Sequence, residues 1–232
     1  MMINGYQSAL AQWKAVMKGN LYTLFILSLF TCFLASCKSE TEDFQPYSDW
    51  QSRNAAWYEQ IADSARQAIR TARSQYGSAW EDHCDWRMYK SILLGPNVQT
   101  GDVQDSICVH ILQRGSGTEA PAYTDSVRVA FRGWLMPTTN ELGQQEELIF
   151  TQTYYGVFDP ATAAPQLSSI IAFRDGFATA LQYMKEGDDW MVYIPQKQFF
   201  GSSSSGIIPA YSTVRFRIYL MGVYPTGTPI PK

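Results

Sequence analysis

The chain has 232 residues, of which 46% are hydrophobic, 14% aromatic and only 17% charged; this packed, aromatic-rich composition excludes a disordered chain or a coiled coil. The formal charge is −3, or −5 once Lys14 and Lys18 of an N-terminal leader are set aside. Without a basic excess the phosphate-neutralising term behind nucleic-acid affinity is missing, and no nucleic-acid partner is expected. Of the four cysteines one lies within the leader and one at its end, and there are two histidines, too few for a structural zinc core. Neither a metal nor a cofactor is expected.

Leu21–Ser36 reads LYTLFILSLFTCFLAS, an uncharged run preceded by Lys18 and followed by a polar, acidic stretch. A spanning helix needs about 20 apolar residues, so residues 1–36 read as a signal peptide and a transmembrane segment is the weaker alternative. Met17-Lys18 opens a leader of ordinary length, which makes Met17 the expected true start. Leu34-Ala35-Ser36-Cys37 resembles the bacterial lipobox, and this resemblance implies a lipid on Cys37. Lys38, where an aspartate would signal inner-membrane retention, points by the same resemblance to the outer membrane, on its periplasmic or its exposed face. The 196 residues from Cys37 on suit one principal core with an appendage.

Residues 37–47 form a polar tether, expected to be mobile. Ser48 and Gln51 are spaced as a capping box, and Trp57, Ile61, Ala65, Ala68, Ala72 and Tyr76 recur at helical spacing, which predicts an amphipathic helix over 48–77 with Gly77 as its stop. Arg53, Arg66, Arg70 and Arg73 fall on its other face, where a solvated surface is favoured over an anion-binding stripe.

From Trp86 the pattern changes to short alternating runs. Val127, Val129, Phe131, Gly133 and Leu135 share one parity, as do Val214, Phe216, Ile218 and Leu220, and Trp190, Val192 and Ile194 form a third run closed by Pro195; each is expected to be a strand with one face on a core. Between them Phe177, Ala180, Leu181 and Met184 have helical spacing, with Gly187 as the expected stop. A short helix among antiparallel strands makes the fold class α+β.

The run Met184-Lys185-Glu186-Gly187-Asp188, then Val192-Tyr193-Ile194-Pro195, Phe199-Phe200-Gly201, Gly206-Ile207-Ile208-Pro209 and Ser212-Thr213-Val214-Arg215-Phe216 resembles the FKBP-type peptidyl-prolyl isomerase family. Asp125 to Gly133 is similar to the family's first core strand, and Val157-Phe158-Asp159 to the Phe-Asp pair that opens its pocket. The resemblance spans residues 86 to 224, leaving 225–232 as a tail. It implies a bent antiparallel sheet wrapped around the short helix, with the helix at 48–77 as an addition, and an apolar pocket that receives a proline side chain. By position Phe131, Asp159, Phe177 and Phe200 fall at the family's catalytic positions, and Phe158, Phe173, Arg174, Ile207, Ile208 and Phe216 at its substrate-binding ones. The backbone N–H of Arg174 and the side chain of Asp159 would orient the substrate and flap, and Gly201–Gly206 would be that flap.

Three positions depart from the family: Phe200 and Phe131 stand where tyrosines are usual, and Phe177 where a tryptophan is common. The resemblance thus implies an isomerase acting on proline-containing polypeptides, with a weakly catalytic chaperone or binding module as the alternative reading, and it leaves the oligomeric state open. The longer segment between Gly133 and Phe158, turning at Asn140-Glu141-Leu142-Gly143, is placed to cover the entrance or meet a partner.

Other polar groups carry less. Glu81-Asp82-His83-Cys84-Asp85 reads as a linker, His110 as a strand histidine, and Glu186, Asp188 and Asp189 as a turn. Cys84 and Cys108, the two thiols left after Cys37, are a candidate disulfide that the sequence leaves undecided.

Overall fold

The computed structural model describes residues 45–95 and 101–230; the leader, Cys37 and most of the tether lie outside them. Helix α1 (Trp50–Tyr76) is followed by β1 (Trp86–Lys90), β2 (Ser106–Gln113), β3 (Ser126–Leu135), β4 (Thr138–Thr139), β5 (Gln145–Glu146), β6 (Ile149–Gln152), β7 (Gln166–Ser169), the short helix α2 (Asp175–Leu181), β8 (Asp189–Ile194) and β9 (Val214–Tyr224). All pairings are antiparallel. The main sheet runs β1-β2-β8-β9-β3-β6, and β7 pairs with the other end of β3. The outer edge of β3 is thus shared, with β6 along Arg132–Trp134 and β7 along Ser126–Val129. Among the described residues no helix is long and apolar enough to cross a membrane.

Strand alternation sets which face meets α2. Ile107, Val109, Val127, Val129, Val192, Ile194, Val214, Phe216, Ile218 and Leu220 are buried together with Phe177, Ala180, Leu181 and Met184 in one core. Gly176 lets α2 approach β8, since a Cβ there would lie 2.3 Å from Ile194 Cγ2. Asp175 in the first turn accepts from Ser91 Oγ at 2.6 Å and from Thr179 Oγ1 at 3.2 Å, fixing the helix start to the chain beyond β1.

The helix is shorter than its apolar spacing implies. It ends at Leu181, and Met184 N–H reaches back to the carbonyls of Ala180 and Leu181 in a tightened turn. Gly187, at φ +90°, sits later, where its N–H donates to Leu220 and the chain swings into β8. Asp188, buried beside it, accepts from the N–H groups of Gly115 and Lys185. Asp189 receives a forked ion pair from Arg217; Asp188 thus belongs to the turn that the sequence suggests, whereas Asp189 is already the first residue of β8.

Helix α1 covers the opposite face of the sheet. Cys108 and Tyr193 are cross-strand partners on that face; Cys108 packs with Tyr58, Ala62 and Ala65, while Tyr193 meets Trp57 edge-on at 6.0 Å. The expected capping box does not form: the N-cap is Asp49, at φ +51°, and no side chain caps the helix. The buried stripe is also turned by about one position from the expected one. It runs Trp50, Asn54, Tyr58, Ala62, Ala65 and Ala72, because polar anchors rather than the largest apolar residues point at the sheet. Asn54 accepts from Thr213 N–H at 2.8 Å, Trp50 Nε1 donates to Ser212 Oγ at 2.9 Å, and Tyr58 donates to the Ser106 carbonyl. Cys84 and Cys108 are free, buried thiols.

Two consequences can be measured. Asn54→Ala leaves the buried Thr213 N–H without its acceptor and is expected to cost about 1–3 kcal/mol, read as a lower Tm, whereas the exposed Gln60→Ala should leave Tm unchanged. Burial pushes the Cys108 thiol from 9.0 up to about 11, and burial raises Tyr58 in the same direction. The unfolded groups therefore ionise first, so their contribution is constant below that window and stability declines as pH rises through it. In Cys108→Ala the first part of that alkaline decline, before tyrosine ionisation, should vanish from a Tm-against-pH series.

Candidate active site

Seven phenylalanines converge where α2 meets the concave side of β3, β6 and β9. Phe177 of α2 is at the centre, edge-on to Phe131 of β3 at 5.4 Å and to Phe216 of β9 at 5.0 Å, and stacked on Phe173 at 4.7 Å. Phe216 is edge-on to Phe150 of β6 at 5.4 Å and lies 5.8 Å from Phe199, which meets Phe200 at 4.6 Å. Phe131, Phe177 and Phe216 are buried, whereas Phe150, Phe173, Phe199 and Phe200 are half-buried, as a floor differs from walls. Perpendicular packing of this kind turns ring edges, the positive part of the aromatic quadrupole, toward neighbouring faces.

Backbone geometry makes the cluster possible. Gly133 lies between its cross-strand partners Phe216 and Thr151, and a Cβ on it would come within 2.6 Å of Phe216 Cε1 and 2.8 Å of Phe150 Cζ. The missing side chain is the space those two rings occupy. Thr153 ties the next loop to β3, its Oγ1 accepting from Phe131 N–H at 2.8 Å and its own N–H donating to the Phe131 carbonyl at 2.9 Å.

The rim is formed by the N-terminus of α2 and the loop after Phe200. Arg174, the exposed N-cap of α2, holds its guanidinium 4.5 Å from the Phe200 ring centroid, a cation–π contact. The Arg174 backbone N–H has no acceptor among the described residues, so it is available to a ligand carbonyl. Gly201 to Gly206 forms an exposed loop closed by the reciprocal Ser205–Ile208 bridge at 3.0 Å and by the Tyr211 N–H donating to Gly201 at 2.7 Å. Ile208 is buried beneath it, while Ile207 is 55% exposed.

The structure brings Phe131, Phe173, Phe177, Phe200, Arg174, Ile208 and Phe216 together here, with Ile207 on the outside of the flap. It does not bring Phe158 and Asp159. Phe158 stacks on Tyr219 at 4.1 Å and meets Tyr154 edge-on at 5.1 Å, and Tyr219 has the opposite parity to Phe216 on β9, so Phe158 covers the other face of the sheet. Asp159 is exposed and caps its own loop, accepting from the N–H groups of Ala161, Thr162 and Ala163. The Phe-Asp dipeptide is therefore a coincidence of sequence. The aromatic that flanks the pocket is Phe150, followed by Thr151, and Phe199 is a second wall that sequence reasoning passed over. The four-residue β6, which pairs with β3 at Gly133, was the signal for Phe150.

Phe177 on a short central helix, rings from β3, β6 and β9 packed around it, and a free backbone donor at the helix start form an apolar cluster with little polar chemistry. Residues 117–221 match the model of the FKBP-type peptidyl-prolyl cis-trans isomerase family. This segment is an FKBP-type domain. Over 117 residues the chain is 32% identical to the macrophage infectivity potentiator of Trypanosoma cruzi, an alignment that takes in 50% of this chain and 52% of that protein; the chain thus spans about half the length of that relative. Among solved structures it is similar to a peptidyl-prolyl cis-trans isomerase from Pseudomonas syringae pv. tomato, at 22% identity and a TM-score of 0.41, covering 72% of this chain and 95% of the other. It is likewise similar to the three FKBP domains of a wheat protein, at 24% identity and a TM-score of 0.41, covering 54% and 48%. The family match begins at Gly117, yet β1 and β2, upstream of it, extend the same sheet through β8.

The cluster's dependence on Gly133 is testable. In Gly133→Ala the new methyl must displace Phe216 or Phe150, and overpacking of this sort costs about 1–3 kcal/mol. The near-ultraviolet circular dichroism of the aromatic cluster should change together with Tm, and an unaltered spectrum at unaltered Tm would show that the rings have slack.

Proposed function

We propose that this chain is a peptidyl-prolyl cis-trans isomerase acting on extracytoplasmic polypeptides, held on the outer membrane by a lipid on Cys37. The observation that carries the enzymatic part is the Phe131–Phe177–Phe216 cluster within the segment that matches the family. The anchoring part rests on Leu34-Ala35-Ser36-Cys37 at the end of the uncharged run. The membrane would be met through that lipid, on the periplasm-facing or exposed side, and the clients would be proline-containing chains.

The X-Pro amide resists rotation by about 18–20 kcal/mol because its C–N bond has partial double-bond character, and its unaided exchange takes roughly tens of seconds or longer. The planar amide is more polar than the twisted one. A dry site lined by Phe131, Phe150, Phe177 and Phe216 disfavours the planar form relative to the twisted one, while its walls hold the pyrrolidine ring so that rotation has a fixed end. The Arg174 N–H supplies a donor to a substrate carbonyl on one side of the proline. No proton is transferred and no covalent bond forms or breaks.

Phe200 favours a second reading, a folding chaperone or binding module that keeps the proline pocket with weak catalysis. A phenylalanine ring lacks the hydroxyl that donates to a substrate carbonyl elsewhere in the family, and its face here is occupied by Arg174. One such bond contributes about 0.5–1.5 kcal/mol.

A protease-coupled assay on prolyl peptides decides between the readings. Wild-type protein should accelerate isomerisation, Phe150→Ala should lower kcat/KM, and Phe158→Ala, on the other face of the sheet, should leave it unchanged. Phe200→Tyr should raise kcat/KM by up to about tenfold. Silence of both the wild type and Phe200→Tyr on several X-Pro peptides would leave the binding module standing. For the anchor, Cys37→Ser should move the protein out of the detergent phase.

A further inference from the structure

Three of the arginines on α1 line a cleft as well as facing solvent. Arg66, Arg70 and Arg73 lie at successive helical spacings, and with Ile69 they form one wall of a cleft of about 480 Å³ whose other wall is Trp80, Glu81, Arg87, Met88 and Tyr89. The cleft lies between α1 and the outer strand β1, built from elements other than those that form the aromatic pocket. Arg73 and Arg87 each place a guanidinium 4.6 Å from the centroid of the Trp80 ring, so two cations converge on one indole. Arg87 is only 6% exposed. Its guanidinium donates to the carbonyls of Cys84, Trp86 and Glu81 and has no carboxylate partner among the described residues.

The charges in the cleft do not cancel. Arg66 is matched by Glu59 at 2.9 Å and Asp63 at 2.8 Å. Arg70, Arg73 and Arg87 have no ion pair among the described residues, and the lining contributes a single carboxylate, Glu81. With Glu59 and Asp63 counted beside Glu81, the four arginines keep a surplus of one positive charge, and an anion among them would relieve the repulsion between their guanidinium groups. Guanidinium forks pair with phosphate oxygens through two parallel hydrogen bonds.

We propose that this cleft binds a phosphate group, a phosphomonoester or free phosphate, with Arg70 and Arg73 closing on it from α1 and Arg87 setting the field from the buried side. Ile69 and Met88 at the same site give an apolar substituent somewhere to rest, which suits the headgroup of a monoester phospholipid as well as free phosphate. The binding is independent of isomerase activity.

Site-resolved labelling of arginines with phenylglyoxal, read by mass spectrometry on the full-length protein in phosphatidylcholine vesicles, tests this. Inorganic phosphate should protect Arg70 and Arg73 saturably, Arg114 should label at an unchanged rate, and chloride at equal ionic strength should protect neither. Phosphatidic acid in the vesicles that protects where free phosphate does not would identify a lipid headgroup as the source. Arg73→Ala, an exposed substitution expected to leave circular dichroism unchanged, should weaken the protection of Arg70 about tenfold, as the loss of one charge-assisted phosphate contact would. Labelling that neither phosphate source slows, protection that chloride reproduces, or protection of Arg70 that Arg73→Ala leaves intact would overturn the proposal.

Discussion

Side chains two apart on a strand share a face, and β9 is long enough for this to organise most of the molecule. Val214, Phe216, Ile218 and Leu220 are buried toward α2, whereas Arg215, Arg217 and Tyr219 are directed to the other side. Because β9 lies between β8 and β3, its register fixes both neighbours. It sets Phe131 opposite Ile218 and Gly133 opposite Phe216, so the pocket floor and the space for its wall come from one pairing. A slip of one residue would exchange the two faces, sending Phe216 to the Arg217 side. The same alternation decides that a loop carrying Phe158 can stack on Tyr219 only by lying away from the pocket.

What was legible in the sequence follows the strength of the periodic signal. Strands β3, β8 and β9 alternate over six or more residues and lie where the alternation put them; α2 was found from its apolar spacing but overextended, because Met184 is buried by a tightened turn rather than by helix. The phase of α1 was harder to read. Its buried stripe is anchored by Asn54 and Tyr58, whose side chains have specific backbone partners on distant strands, and hydrophobic periodicity carries no information about such bonds. The added helix itself, and the α+β class, needed only the change of period near Trp86.

The site was legible where single residues sit in long registers and illegible where a dipeptide carried the inference. Phe177 and Phe216 are each fixed by an element with its own periodicity. Phe158-Asp159 was matched on two letters inside a segment that has no fixed length, and the actual wall, Phe150, belongs to a four-residue strand whose pairing partner, not its own composition, gives it away. The Arg66, Arg70 and Arg73 stripe is a similar case. On the helix alone it is a row of surface charges; only Trp80 and Arg87, supplied by the turn and strand that follow, make the row one wall of a cleft.

The pocket is poorer in polar groups than the usual positions of its family would make it, and this bears on how it would work. Removing a hydroxyl at position 200 leaves a ring that can still exclude water, and Arg174 has settled against it. A guanidinium on the outer rim is weakly hydrated for a cation and lies flat on an aromatic face without a large desolvation cost, so it extends the apolar wall while keeping its charge in solvent. The Phe131 N–H and carbonyl are both satisfied by Thr153, which removes them as donor or acceptor for a ligand. What remains for a bound X-Pro segment is ring faces, ring edges and the Arg174 backbone N–H. On the proposed mechanism a site so composed would favour a less polar amide over a more polar one through exclusion of water, and the single hydrogen bond would orient the segment about its turning bond.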